Sequence, residues 1–262
     1  MFVVSEPTFT ESPTGVHRID LLVPFAGVAA AAVLIFSAYF VHNLSAYAFA
    51  LAGLVLAWGW PILLELPRPP ESAVVLATSA VAMTAIVVFS ASTDGMKTLS
   101  VVLAIAMVLT FLYEYIRTDS RVNLVSSIAS TSFGLAVLAS GTFYAGAAAH
   151  RYGDAVVAAA AGAVALGLLI DAALSCGSAA EWSLPASLLV GALLGLVLGL
   201  ATDVRWNILL LAGFLAAAIG FAVRRVLGIA IPTDTWARLA SGMTTVLSAG
   251  PVAYAAEWLI NR

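Results

Sequence analysis

Charge is what this sequence has least of. Eleven Lys and Arg and fourteen Asp and Glu make up 10% of 262 residues, while 62% are hydrophobic. Mean hydropathy is +1.05. A soluble domain carries ionisable groups on about a quarter of its residues, so this chain cannot coat a globule, and lipid must solvate most of its exterior. The net charge of −3 offers no basic surface, and no nucleic-acid partner is expected. The single cysteine, Cys176, excludes an internal disulfide and a multi-cysteine metal site. His17, His42 and His150 lie far apart with no metal-ligand spacing, so no histidine metal site is expected. No lysine falls inside an apolar run, which excludes a retinal Schiff base, and neither a Gly-rich phosphate loop nor a nucleophile elbow is present.

What remains is a series of long apolar runs. They are Ile19–Val41, Ser45–Leu64, Ala73–Ser92, Leu99–Ile116, Val122–Tyr144, Ala155–Cys176, Leu184–Ala201, Trp206–Val223 and Leu239–Ile260. Each approaches or exceeds the roughly 20 residues a membrane-crossing helix needs. None has the alternating period of barrel strands, and helices satisfy their own backbone groups in hydrocarbon. The expectation is an all-α, polytopic integral membrane protein with about nine transmembrane helices. Met1–Gly15 is polar and lacks the basic and short apolar regions of a signal peptide, so residues 1–18 are expected to form a mobile tail. Residues 19–262 are expected to form one transmembrane domain, because the connecting segments are short.

Nine crossings place the termini on opposite faces. The tail and the loops after even-numbered helices carry Arg18, Arg68, Arg117, Arg121, Arg224, Arg225 and Arg238, against Lys97, Arg151, Arg205 and Arg262 on the other face. Basic residues concentrate on the cytoplasmic side, so the N-terminus is expected in the cytoplasm and the chain in the cell (plasma or inner) membrane.

Asp171, in Leu-Gly-Leu-Leu-Ile-Asp-Ala-Ala-Leu, is the acidic residue set deepest in a run. A carboxylate in hydrocarbon must be protonated, paired or wetted, which makes it a candidate for a catalytic role; reaching water at a helix end is the plainer reading. Asn123, Ser127, Ser130 and Gly134 share a face of the fifth helix, where packing outweighs a wet cavity as the reading. Gly191, Gly195 and Gly199 form a small-residue ridge on the seventh, suited to a close helix contact with this chain, a second copy or another membrane protein. Glu114 is expected to pair with Arg117.

Arg-Arg-Val-Leu-Gly-Ile from Arg224, then Pro232, then Ala-Ser-Gly-Met-Thr-Thr-Val-Leu-Ser-Ala-Gly-Pro-Val-Ala-Tyr from Ala240 to Tyr254, resembles the closing segment of CDP-diacylglycerol synthases (phosphatidate cytidylyltransferases). The resemblance implies a synthase-like bundle of about nine helices and a cytoplasmic loop between the last two. Asp171 is similar in place to the family's Ser-Asp motif, and Trp182 to its Lys-Lys-x-Trp-Glu tryptophan. The departures fall on the chemistry. Counting back from Pro251, Ser241 and Thr244 stand where the family has two aspartates, and Gly242 where it has arginine. Val226 and Ile231 replace expected acidic residues, and Ala179 and Ala180 precede Trp182 in place of the lysine pair. Cytidylyl transfer brings two polyanions together and needs carboxylate-held divalent ions.

The expectation is therefore a non-catalytic membrane protein with a synthase-like scaffold, binding membrane lipid or serving as an accessory subunit. Arg224, Arg225, Arg238, Ser241 and Thr244 are its candidate lipid or anion contacts. No cofactor is expected. An active lipid-phosphate cytidylyltransferase, using Mg²⁺ with Asp171 as a remnant ligand, is the alternative, and a small-molecule transporter with Asp171 at its substrate site is the second.

Overall fold

The computed structural model describes residues 21–40, 44–66, 69–89, 95–116, 124–175, 177–202, 204–228, 230 and 234–262. Within them the chain forms ten α-helices and one short 3₁₀ turn, with no strand among the described residues. The helices are α1 (Leu22–Phe40), α2 (Leu44–Leu63), α3 (Pro69–Phe89), α4 (Gly95–Ile116), α5 (Leu124–Ala148), α6 (Gly153–Leu174), α7 (Ser183–Ala201), α8 (Trp206–Leu227), α9 (Thr235–Leu247) and α10 (Gly250–Ile260). The 3₁₀ turn, Gly177–Trp182, leads into α7.

Among the described residues, seven helices are long and apolar enough to cross a membrane: α1, α2, α3, α5, α6, α7 and α8. The apolar part of α4, Thr98–Tyr113, is shorter. The ninth run, expected as one helix, is two. Pro251 has no N–H to give the carbonyl of Leu247, and its ring crowds that turn. The backbone tightens instead, with Ala249 N–H bonding Val246 O at 3.1 Å and Val252 N–H bonding Ala249 O at 3.1 Å. Tyr144 of α5, fully buried, donates its hydroxyl to the same Val246 carbonyl at 3.2 Å. A tyrosine thus braces the break between α9 and α10.

Interior positions go to the smallest side chains. Ala159, Ala160, Ala161 and Ala163 of α6 are completely buried, and α6 packs against α1, α5, α7, α8, α9 and α10. Removing side-chain bulk lets backbones approach, the main source of helix association where lipid is as apolar as the protein. The second interior helix, α9, is buried from Ala240 to Leu247 and lies against α1, α2, α5, α6 and α8. By contrast α4 packs mainly on α3 and α5 and exposes Ile105, Val108 and Leu112.

On α7 a residue every four positions faces inward: Ser183, Ser187, Gly191, Gly195 and Gly199 are buried. Leu189, Leu193 and Val197 face outward and are exposed. The glycine ridge is covered by α8 of the same chain. A Cβ on Gly195 would fall onto the carbonyl of Leu209, and one on Gly213 onto the carbonyl of Gly191. The close helix contact expected of this ridge is thus made within the chain. The serine-bearing face of α5 packs closely at Gly134, where a Cβ would lie 2.9 Å from Trp60 Nε1. Trp60 Nε1 donates to Ser130 O at 2.9 Å, and Thr131 Oγ1 lies 3.4 Å from Ser72 Oγ; Asn123 and the Glu114–Arg117 pairing lie outside the described residues and side chains.

Candidate anion-binding cleft

The eighth run was expected to stop at Val223, leaving the two arginines in a loop. Instead α8 continues to Leu227, and Arg224 and Arg225 occupy its last turn, where cations oppose the negative end of the helix dipole. Side chains on a helix lean toward its N-terminus. An arginine at the C-terminal end therefore leans back into the bundle, provided the preceding turn leaves room. Gly220, four residues earlier, leaves it: a Cβ there would lie 3.5 Å from Arg224 Nη1. The same device recurs on α6, where Gly167 precedes Asp171 by one turn and a Cβ on it would lie 3.4 Å from both Nη atoms.

Consequently the two neighbours in sequence have opposite fates. Arg224 has a side chain only 9% exposed, and its Nε donates to Asp171 Oδ2 at 3.0 Å, with Asp171 29% exposed. Arg225 is exposed; its Nη2 reaches Ser183 Oγ at 3.4 Å, and its guanidinium lies 5.0 Å from the Phe221 ring centre. Arg224 flanks the same ring at 5.7 Å.

These side chains border a cleft of about 380 Å³ where the C-terminal ends of α6 and α8 meet the start of α7. Asp171, Leu174, Ser175, Ala180, Ser183, Arg224, Arg225 and Gly228 line it. Asp171 occupies only one edge of the Arg224 guanidinium. Nη1 and Nη2 are buried without an acceptor, and no other buried side-chain polar atom among the described residues is in that position. A buried donor left unpaired costs about 1–3 kcal/mol, more when charged. The cleft thus holds two cations, one carboxylate and two hydroxyls, while the two unanswered Nη groups lie shielded beside it, against Gly167 and Gly220. Chemically that suits a guest with several acceptor oxygens and a negative charge, because guanidinium and phosphate meet through paired hydrogen bonds.

The other expected contacts do not join this cleft. Ser241 and Thr244 lie buried in the middle of α9. Thr244 Oγ1 donates to Ala240 O at 2.7 Å, and Thr245 Oγ1 to the backbone carbonyl of Ser241 at 2.9 Å, so both threonine hydroxyls are answered by their own helix. Gly242 between them is pressed against the start of α1, where a Cβ would meet Val23 O at 2.6 Å. Arg238, half-buried on α9, is not among the cleft residues. Asp171 as a metal ligand would share its carboxylate with a guanidinium, and no group of three His, Cys, Asp or Glu comes together among the described residues. Ala180 does border the cleft, while Val226 points away and is 59% exposed.

Sequence reasoning passed over Ser183 and Ser175; it set Asp171 opposite Arg224 and Arg225 only as one possible arrangement, and the ion pair to Arg224 spans 53 positions. The available signal was a glycine one turn before each charge. It also passed over Glu257, which lies three residues from the end of the last run yet is only 4% exposed. There Asn261 Nδ2 donates to Glu257 Oε1 at 2.5 Å, His150 Nδ1 lies 3.8 Å from that oxygen, and Nδ1 is 3.0 Å from Gly146 O. No protein-family model, curated protein or solved structure matches this chain, so the geometry of the cleft carries the functional argument.

Proposed function

We propose that this chain is an integral membrane protein that holds the phosphate-bearing headgroup of an anionic lipid in the cleft between α6, α7 and α8. The observation that carries the reading is Arg224: a guanidinium with its side chain 91% shielded, one edge on Asp171 and both Nη groups without acceptors. An ionisable group at membrane depth marks a functional site unless it finds a partner or water. Orientation alone would be served by an exposed arginine such as Arg225. In this reading α4 and the kinked α9–α10 pair also cross the bilayer, giving nine spans. The cleft then opens to the cytoplasmic leaflet, on the same side as the N-terminus.

The role is non-catalytic binding, either in its own right or as an accessory subunit. The likeness to CDP-diacylglycerol synthases, carried by Arg224, Arg225 and the segment 240–254 with Asp171 and Trp182 similar in place, supports a lipid-binding scaffold rather than cytidylyl transfer. The Thr244 hydroxyl is spent on its own helix, Ser241 is buried in the middle of α9, and Asp171 is spent on Arg224.

The test is lipid retention. Purified protein in nanodiscs of phosphatidylcholine with a minor fraction of phosphatidylglycerol should enrich the anionic lipid in native mass spectra. An Asp171→Asn/Arg224→Gln double variant, which removes both buried charges together, should lose that enrichment by about tenfold. Equal retention by the two proteins would reject the reading.

A further inference from the structure

We infer that Asp171 sets the charge of the guest, limiting the cleft to a singly charged phosphodiester and turning away a doubly charged phosphomonoester. This rests on the proposed reading of the cleft as a headgroup site. Its charged lining is Arg224, Arg225 and Asp171; the remaining lining residues are neutral. Two guanidiniums and one carboxylate leave a single positive charge in a partly enclosed, weakly screened space. A phosphodiester neutralises it. A phosphomonoester dianion would leave one negative charge uncompensated beside Asp171, where like charges are costly.

The contact geometry gives Asp171 this role without making it a structural clamp. A carboxylate that fully satisfied Arg224 would use two parallel bonds. Asp171 makes one, from Oδ2 to Nε at 3.0 Å, and leaves both Nη groups unanswered. The Nη edge lies against Gly167 and Gly220, whose Cβ positions would be 3.4–3.5 Å from it. Arg225 supplies the second cation from the exposed rim, held by Ser183. Asp171 therefore stays in place as the guest binds, and its charge counts against any second negative charge the guest brings.

The experiment compares the intact protein in nanodiscs of phosphatidylcholine doped with either phosphatidylglycerol, a diester, or phosphatidate, a monoester, at pH 8. Wild type should retain phosphatidylglycerol over phosphatidate by about tenfold. Asp171→Asn should reverse or abolish that preference, while Asp171→Glu keeps it. Because Asp171→Asn could disturb folding, Arg225→Gln at the exposed rim serves as a second arm. It should make the cleft neutral and remove discrimination between phosphatidylglycerol and phosphatidylcholine. Arginine-dependent retention with a preference that Asp171→Asn leaves unchanged would overturn the charge rule and leave the headgroup reading standing. Retention of neither anionic lipid above phosphatidylcholine would overturn both. Displacement of the bound lipid by soluble glycerophosphorylglycerol would keep the charge rule and assign the site to a free phosphodiester instead of a membrane lipid.

Discussion

The two ends of α6, a helix of 22 residues and about 33 Å, each carry a shielded pair of ionisable side chains. At its C-terminal end Asp171 meets Arg224; just before its N-terminal end His150 faces Glu257 of α10. Both place a charged side chain in a shielded setting, but only one leaves donors unanswered. Glu257 accepts the Asn261 amide from one turn away, so local chain geometry completes it. Arg224 finds one partner oxygen, 53 residues away, and leaves two nitrogens with none. Burial of a charge therefore does not by itself identify a site. The shortfall of partners does, because a satisfied cluster has nothing further to offer a ligand.

The largest expected effect comes from deepening that shortfall. Asp171→Ala strands the Arg224 guanidinium entirely and should cost about 3 kcal/mol, near the low end for a broken buried pair because Asp171 is 29% exposed. Thermal melting in detergent checks it, and replacing Arg224 by Met in the same chain should restore most of the loss. An Asp171→Ala protein as stable as wild type would show that water already satisfies Arg224 and that the two ends do not differ.

A glycine contact comes next. Gly195→Ala would press a Cβ into the Leu209 carbonyl toward the far end of the α7–α8 hairpin. Overpacking of this kind costs about 1–3 kcal/mol. If the ends are independent, melting should fall while lipid retention at the cleft persists.

Smaller still is Asp234→Ala. The Asp234 carboxylate caps α9 by accepting from Trp236 N–H at 2.9 Å. Its loss should cost about 1 kcal/mol, as for other helix N-caps. The smallest effect belongs to the satisfied cluster. Glu257→Gln keeps an acceptor for Asn261 and should shift stability by less than about 1 kcal/mol, with lipid binding unchanged. A larger loss of binding than Asp171→Asn gives would reverse the comparison.

Most of the helical plan was legible because it rests on long apolar runs, which only helices satisfy in lipid. The runs at α1, α2, α6 and α7 locate their helices within a few residues. Where tertiary forces decide, the sequence was less direct. Pro251 was visible inside the last run, yet the split into α9 and α10 depends on how Tyr144 and the tightened turn take up the freed carbonyls. The cleft was half legible. Arg224, Arg225 and Asp171 stood out as charges near apolar runs, but ending α8 at Val223 placed the arginines in a loop. Their pairing depends on α6 and α8 being neighbours, which no local pattern encodes. Ser241 and Thr244 were chosen by alignment to a family motif, while in the fold their hydroxyl positions belong to an interior helix packed on α1 and α2.

The most direct measurement of the central claim asks where a headgroup sits. A phosphatidylglycerol analogue with a photoreactive headgroup, incorporated in nanodiscs with the protein, would be activated and the cross-linked peptides identified by mass spectrometry. Labelling should concentrate on the 171–183 and 224–228 segments that enclose the cleft, and should disappear in the Asp171→Asn/Arg224→Gln variant. Labelling confined to residues 148–154 and 257–262, at the satisfied end, or unchanged in the variant, would contradict the account.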